Sequence, residues 1–188
     1  MKLLRSKIIC ITVAVLAAVF AQAQTNTITS LAAKAENSQN GSSVDSGVKS
    51  ANATLSEKES MTTLRKNAEG ENADAQFELG QRYMDGDGVA TNAVEAVKWW
   101  LKAAQQGHAA AQFKLGICYA NGSGVEKDET EAVEWCRKAA EQGFSDAQYM
   151  LGVCYGNGSG VKKDEAEAVE WYRKAAEQGY APAQYAIG

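Results

Sequence analysis

The chain is poorest in the residues that most often break helices or carry chemistry: 188 residues hold one proline, one histidine and four cysteines. Pro182 falls in the first turn of the last helix, where its missing N–H is tolerated, so no helix is interrupted. His108 lies in a turn and reads as an exposed surface residue rather than a general base, since no serine or cysteine nucleophile has a plausible histidine partner. The cysteines show neither a Cys-x-x-Cys nor a Cys/His spacing, so nothing suggests a metal, and no cofactor is expected. Basic charge is scarce too, with 19 Lys and Arg against 23 Asp and Glu. That balance argues against nucleic acid or anionic lipid as a partner.

What is present is repetition. Residues 109–144, AAAQFKLGICYANGSGVEKDETEAVEWCRKAAEQGF, are followed by SDAQYMLGVCYGNGSGVKKDEAEAVEWYRKAAEQGY, and 26 of the 36 positions are identical. Ala75-Gln76-Phe77 precedes Ala111-Gln112-Phe113 by one such period, and Ala183-Gln184-Tyr185 follows Ala147-Gln148-Tyr149 by one. A fixed period of this size implies stacked units, each unable to bury its apolar face alone.

Within one unit, Ala111, Leu115, Cys118 and Tyr119 share a helical stripe, which predicts a helix A over about 109–120. Ala132, Val133, Cys136, Ala139 and Ala140 predict a helix B over about 129–142. Asn121-Gly122-Ser123-Gly124 supplies glycines able to take positive φ between them. Asp128 with Glu131, Asn92 with Glu95 and Asp164 with Glu167 read as capping boxes opening helix B. Gly107, Gly143 and Gly179 stand where a left-handed glycine ends a helix.

Gly80, Gly116, Gly152 and Gly188 sit inside helix A instead, at a cost of roughly 1 kcal/mol each against alanine. The expected compensation is close approach of a neighbouring helix B, through Trp99, Trp135 or Trp171. The fold expected is all-α: a right-handed α/α solenoid of 36-residue helix-turn-helix repeats with one concave face.

The segments Ala-x-x-Leu-Gly-x-x-Tyr, Asn-Gly-x-Gly-Val-x-x-Asp and Glu-Ala-Val-x-Trp-x-x-Lys-Ala-Ala-x-x-Gly recur in register over residues 73–188. In this the chain resembles the Sel-one-like repeat (SLR) family, a relative of the tetratricopeptide repeat. Repeat 1 departs mildly, with Asp85-Gly86-Asp87-Gly88 in its loop and Trp100 beside Trp99. The resemblance implies a scaffold for protein or peptide partners, in bacteria often exported, with no catalytic residues to carry over. A cysteine-rich branch of the family resembles β-lactam-binding or β-lactam-hydrolysing proteins, but its cysteines are paired eight apart, a spacing this chain lacks.

The units divide the chain into repeat 1 (73–108), repeat 2 (109–144), repeat 3 (145–180) and the start of a truncated repeat 4 (181–188). Ahead of them, residues 1–23 read as a secretory signal peptide, with Lys2, Arg5 and Lys7 before an apolar stretch and Ala21-Gln22-Ala23 at the cleavage position. The apolar stretch, Ile8 to Phe20, is short of the ~20 residues a membrane span needs, so no stable membrane insertion is expected after cleavage. Cleavage removes three basic residues and no acidic ones, leaving a net charge of about −7. The expected location is periplasmic or extracellular.

Residues 24–55, rich in Ser, Asn and Thr and free of Trp, Tyr and Phe, read as a disordered linker. Residues 56–72 read as an N-terminal capping helix whose end echoes a helix B. At the other end Gly188 stops the chain inside a fourth helix A. That is expected either of a fragment of a longer array or of an open end closed by another chain, which allows self-association.

Three cysteines remain after cleavage. A bridge between Cys136 and Cys154 and a set of buried thiols are both compatible with their heights along the helices. Asn40, Asn52, Asn121 and Asn157 begin Asn-x-Ser/Thr triplets, glycosylation acceptors in a eukaryotic secretory route and turn residues in a bacterium.

Positions identical from unit to unit answer to the fold, so partner-binding residues are sought where helix A varies. These are Glu78, Lys114 and Met150; Gln81, Ile117 and Val153; and Arg82, which stands where the later units carry cysteine. A secreted effector acting on a host or neighbouring cell would use the same groove.

Overall fold

The computed structural model describes residues 60–187, which form helices and no strands. The expected signal peptide, the linker, the first residues of the capping helix and Gly188 lie outside the described residues. In chain order the helices are α1 over 60–69, α2 (Ala73–Asp85), α3 (Ala93–Gln105), α4 (Ala109–Asn121), α5 (Glu129–Glu141), α6 (Ser145–Asn157), α7 (Glu165–Glu177) and α8 (Ala181–Ile187). Helices α2 and α3, α4 and α5, and α6 and α7 pair as hairpins, and each hairpin packs on the next. The result is an α/α solenoid.

Each central helix is 13 residues long, or ~20 Å at 1.5 Å per residue, and its ends are set by local chemistry. Helices α2, α4 and α6 stop at Gly86, Gly122 and Gly158, whose φ of 75°, 73° and 77° is left-handed and whose N–H returns to the carbonyl of Arg82, Cys118 or Cys154. Helices α3, α5 and α7 open on Asn92, Asp128 and Asp164, which accept from the backbone N–H of Glu95, Glu131 and Glu167.

Only this half of the expected capping box forms. The N–H of each cap residue is taken by the carbonyl of Tyr83, Tyr119 or Tyr155 at 2.8–2.9 Å, so the loop folds back onto helix A and the glutamate side chain is not needed. Glu167 instead accepts from Trp171 Nε1 at 2.9 Å.

The core is a file of small and branched residues. Leu79, Leu115 and Leu151 are fully buried, as are Ala96, Ala103, Ala111, Ala139, Ala147 and Ala175. Burying a leucine contributes roughly 2 kcal/mol, and the alanines let helix axes approach closely. Helix α1 completes the first unit from outside, because Met61 and Ala68 join Ala75 and Leu79 in one cluster.

The helix-interior glycines are packed as expected, though by a different residue. A Cβ on Gly80 would collide with the indole of Trp100, one on Gly116 with Cys136 Sγ, and one on Gly152 with the ring of Tyr172. Trp99, Trp135 and Trp171 sit one residue, about 100°, around helix B. They turn instead toward the preceding unit: Trp99 packs against the Met61–Leu79 cluster and Trp135 against the cluster of Trp100 and Leu115.

Candidate partner-binding face and the repeat junctions

Successive units are held by a hydrogen-bonded ladder that spacing alone did not reveal. Gln76, Gln112 and Gln148 are the buried polar side chains of the core. Each donates its amide backward, to the carbonyl of Ala68, Ala104 or Ala140 at 2.9–3.1 Å. Each accepts from Gln106, Gln142 or Gln178, at the end of its own unit's helix B, at 2.7 Å. A buried amide is costly unless both its ends are paired, and here both are. The signal was present in the sequence as a glutamine repeating at every period on an otherwise apolar stripe.

Beside this ladder runs a row of ring contacts that changes from unit to unit. Phe77 stacks on His108 with centroids 4.7 Å apart, Phe113 meets Phe144 at 5.4 Å, and Tyr149 meets Tyr180 at 5.5 Å. The neighbour of each ring pair changes in step. Asp74 lies 3.4 Å from His108 Nε2 and Asp146 accepts from the Tyr180 hydroxyl at 3.2 Å, while beside Phe144 the equivalent residue is Ala110.

His108 is therefore no exposed turn residue. Its side chain is 19% exposed, and its Nδ1 accepts the N–H of Ala111 as the cap of α4. As an acceptor Nδ1 carries no proton, which leaves Nε2 to face Asp74.

The seven candidate residues fall in two groups. In repeat 1 they are bound to one another: Arg82 pairs through Nε with Glu78 at 3.0 Å and through Nη1 with Asp87 at 3.0 Å, and Gln81 donates to Asp85 at 2.8 Å. In repeats 2 and 3, Lys114, Ile117, Met150 and Val153 are half-buried, and none packs into the three core clusters. Lys114 Nζ stands 5.9 Å from the centroid of the Trp100 ring and forms no ion pair among the described residues.

Cys118, Cys136 and Cys154 are free thiols. Burial pushes Cys136 up to about 12 and Cys118 and Cys154 to about 11, so all are held as unreactive neutral groups at neutral pH. Burial, with Asp146 close by, likewise raises Tyr180 to about 12, and burial raises Tyr172 to about 12. Among the described residues no group of three His, Cys, Asp or Glu side chains is placed to hold a metal, and no helix is long and apolar enough to cross a membrane.

The Sel1 repeat family model matches three times, over residues 73–108, 109–144 and 145–180. The chain belongs to the Sel1 repeat family. Solved Sel1 repeat structures agree with it in fold. A Sel1 repeat protein from Oxalobacter formigenes is 47% identical with a TM-score of 0.64, over 68% of this chain and 96% of that one. The protein c5321, a protective antigen of uropathogenic Escherichia coli strains, is 45% identical with a TM-score of 0.65, over 66% of this chain and 27% of its own length. Cysteine-rich protein B of Helicobacter pylori is 26% identical with a TM-score of 0.53, over 65% of this chain and 93% of that one. No protein of curated function matches the chain in sequence. Sel1 repeats generally serve as scaffolds for protein interactions rather than as catalysts.

Proposed function

We propose that this Sel1 repeat protein is an exported scaffold that binds a protein or peptide through the concave face formed by α2, α4 and α6. The observation that carries the reading is how variation is distributed. The alanine, glutamine and leucine positions that build the core of each helix A repeat at every period, while Glu78, Lys114 and Met150, and Gln81, Ile117 and Val153, change at equivalent A-helix positions. A surface that need only keep the fold soluble would use interchangeable polar residues there, whereas this one exchanges charge for apolar surface.

Site-specific photocrosslinking tests the face. A crosslinker at Ile117 or Val153 traps a defined partner, and one at Lys98 or Glu134 on the B helices does not; the reverse pattern removes the assignment. Export rests on residues 1–23 and is tested separately by the mass of the protein recovered from the producing cell. A chain beginning at Gln24 outside the cytoplasm is expected, and an intact Met1 form confined to the cytoplasm defeats it.

A further inference from the structure

Helices α2, α4 and α6 share a backbone and differ sharply in charge. Helix α2 carries Asp74, Glu78, Arg82 and Asp85, helix α6 carries Asp146, and the one charged residue of α4 is Lys114. In repeat 1 the charges are already paired, Arg82 between Glu78 and Asp87 and Asp85 with Gln81. A partner approaching there would have to displace existing ion pairs before gaining any of its own. In repeat 3, Asp146 is engaged by the Tyr180 hydroxyl.

Repeats 2 and 3 present the opposite situation. Among the described residues Lys114 has no carboxylate within ion-pair reach, and the indole of Trp100 below it is fully buried. One turn on along the same face is Ile117, and one period on, Met150 and Val153 take the places of Lys114 and Ile117. All three apolar residues are half-buried and serve none of the core clusters. The Phe113–Phe144 ring contact joins the N-terminal half of α4 to the residue that caps α6, so the two rows start from a shared end.

We infer that this α4–α6 strip is the recognition site, and that it fits a peptide segment carrying a bulky apolar side chain next to a carboxylate. The apolar group covers Ile117, Met150 and Val153, the carboxylate takes the free ammonium of Lys114, and repeat 1 stays outside the contact. Charge selects the occupant: a lone cation on a helix without carboxylates attracts an acidic segment and repels a basic one. The inference rests on the reading of the A helices as the binding face and narrows it to two repeats and one ligand chemistry.

The test is selection of a random peptide display library on the purified chain, followed by anisotropy titration of an enriched synthetic peptide. Enriched sequences should place Asp or Glu beside Leu, Ile, Met or Phe. Lys114→Gln should weaken such a peptide about tenfold, as loss of a charge-assisted contact does, and should flatten its salt dependence. Met150→Asp should abolish binding, Glu78→Ala and Arg82→Ala should leave the Kd within about twofold, and circular dichroism should report the same helix content for every variant. Enrichment of Lys- or Arg-rich peptides, or of none, overturns the inference. So does a selected peptide that loses affinity with Arg82→Ala and not with Lys114→Gln, an outcome that leaves the broader scaffold reading standing.

Discussion

In repeat 1, Phe77 stacks on His108, Asp74 faces the imidazole, and Trp100 lies in the notch left by Gly80. In repeat 2, Phe113 meets Phe144, an alanine replaces the aspartate, and Cys136 fills the notch left by Gly116. The side chains have almost nothing in common. Yet the glutamine ladder has the same 2.7 Å bond in both, and Gln112 and Gln148 each reach back to the preceding unit by the same 3.1 Å bond. The loop glycines Gly124 and Gly160 likewise press on the carbonyl of Ala93 and of Glu129, at the start of the preceding helix B. The stacking geometry is therefore set by backbone contact and buried amides, and the rings and notch fillers are exchangeable within it.

The largest expected effect tests that division directly. Gly124→Ala and Gly160→Ala would each drive a Cβ into backbone at a residue of positive φ, costing about 3–5 kcal/mol in chemical denaturation. Gly107→Ala, also at positive φ but with nothing within 4 Å, should cost only about 1–2 kcal/mol. Equal costs at Gly160 and Gly107 would mean that the loops do not lock the units together.

Next come the amides. Gln112→Ala and Gln148→Ala each remove two side-chain bonds, to the carbonyl of Ala104 or Ala140, which keeps the N–H of Gly107 or Gly143, and from Gln142 or Gln178. A loss of about 1–2 kcal/mol is expected at both, and a clear inequality would break the equivalence of the two junctions.

Alkaline pH should separate the two notch fillers. An acid whose pKa is raised in the folded state keeps its proton there while the unfolded chain loses it, so stability is intact below the unfolded value and declines above it. Cys136 and Cys154 rise from 9.0 to about 12 and about 11. Each should therefore cost the fold on the order of 1 kcal/mol per pH unit above pH 9. Trp100, which fills the equivalent notch in repeat 1, does not titrate, although Cys118 in the cluster around it is likewise raised to about 11. Thermal unfolding of Cys136→Ala should fall less steeply with pH from 9 to 11 than that of the wild type, and parallel slopes would dismiss the thiol as the cause.

The smallest effect concerns the exchangeable layer. Asp74 is 91% exposed, so Asp74→Asn should cost under about 1 kcal/mol. His108→Phe copies the second junction into the first and forfeits a cap bond that Phe144 also lacks, at a cost of about 1 kcal/mol. A double-mutant cycle should find little coupling between the two substitutions; coupling above about 1 kcal/mol would show that the side chains are not interchangeable.

Much of this was readable from spacing. The end glycines Gly107, Gly143 and Gly179 and the caps Asn92, Asp128 and Asp164 act within one turn of chain, so their roles follow from local sequence. The exposed reading of His108 failed because its ring is covered by Phe77, which lies on α2 at the far end of the same unit in sequence. Of the candidate face, the positions were visible from their variation, but not that Glu78, Gln81 and Arg82 are occupied by their own neighbours.

By itself the sequence determined the helices, their ends and the 36-residue period, because helix formation, capping and left-handed glycine turns depend on residues a few places apart. Only the tertiary structure decided that Trp100, Cys136 and Tyr172 rather than Trp99, Trp135 and Trp171 meet the notch glycines. It also decided that three glutamines tie three helices apiece and that, among the described residues, Lys114 is left without a carboxylate. Those outcomes depend on how far each helix is rotated about its axis against the next, a quantity settled by packing between units and written in no single stretch of chain.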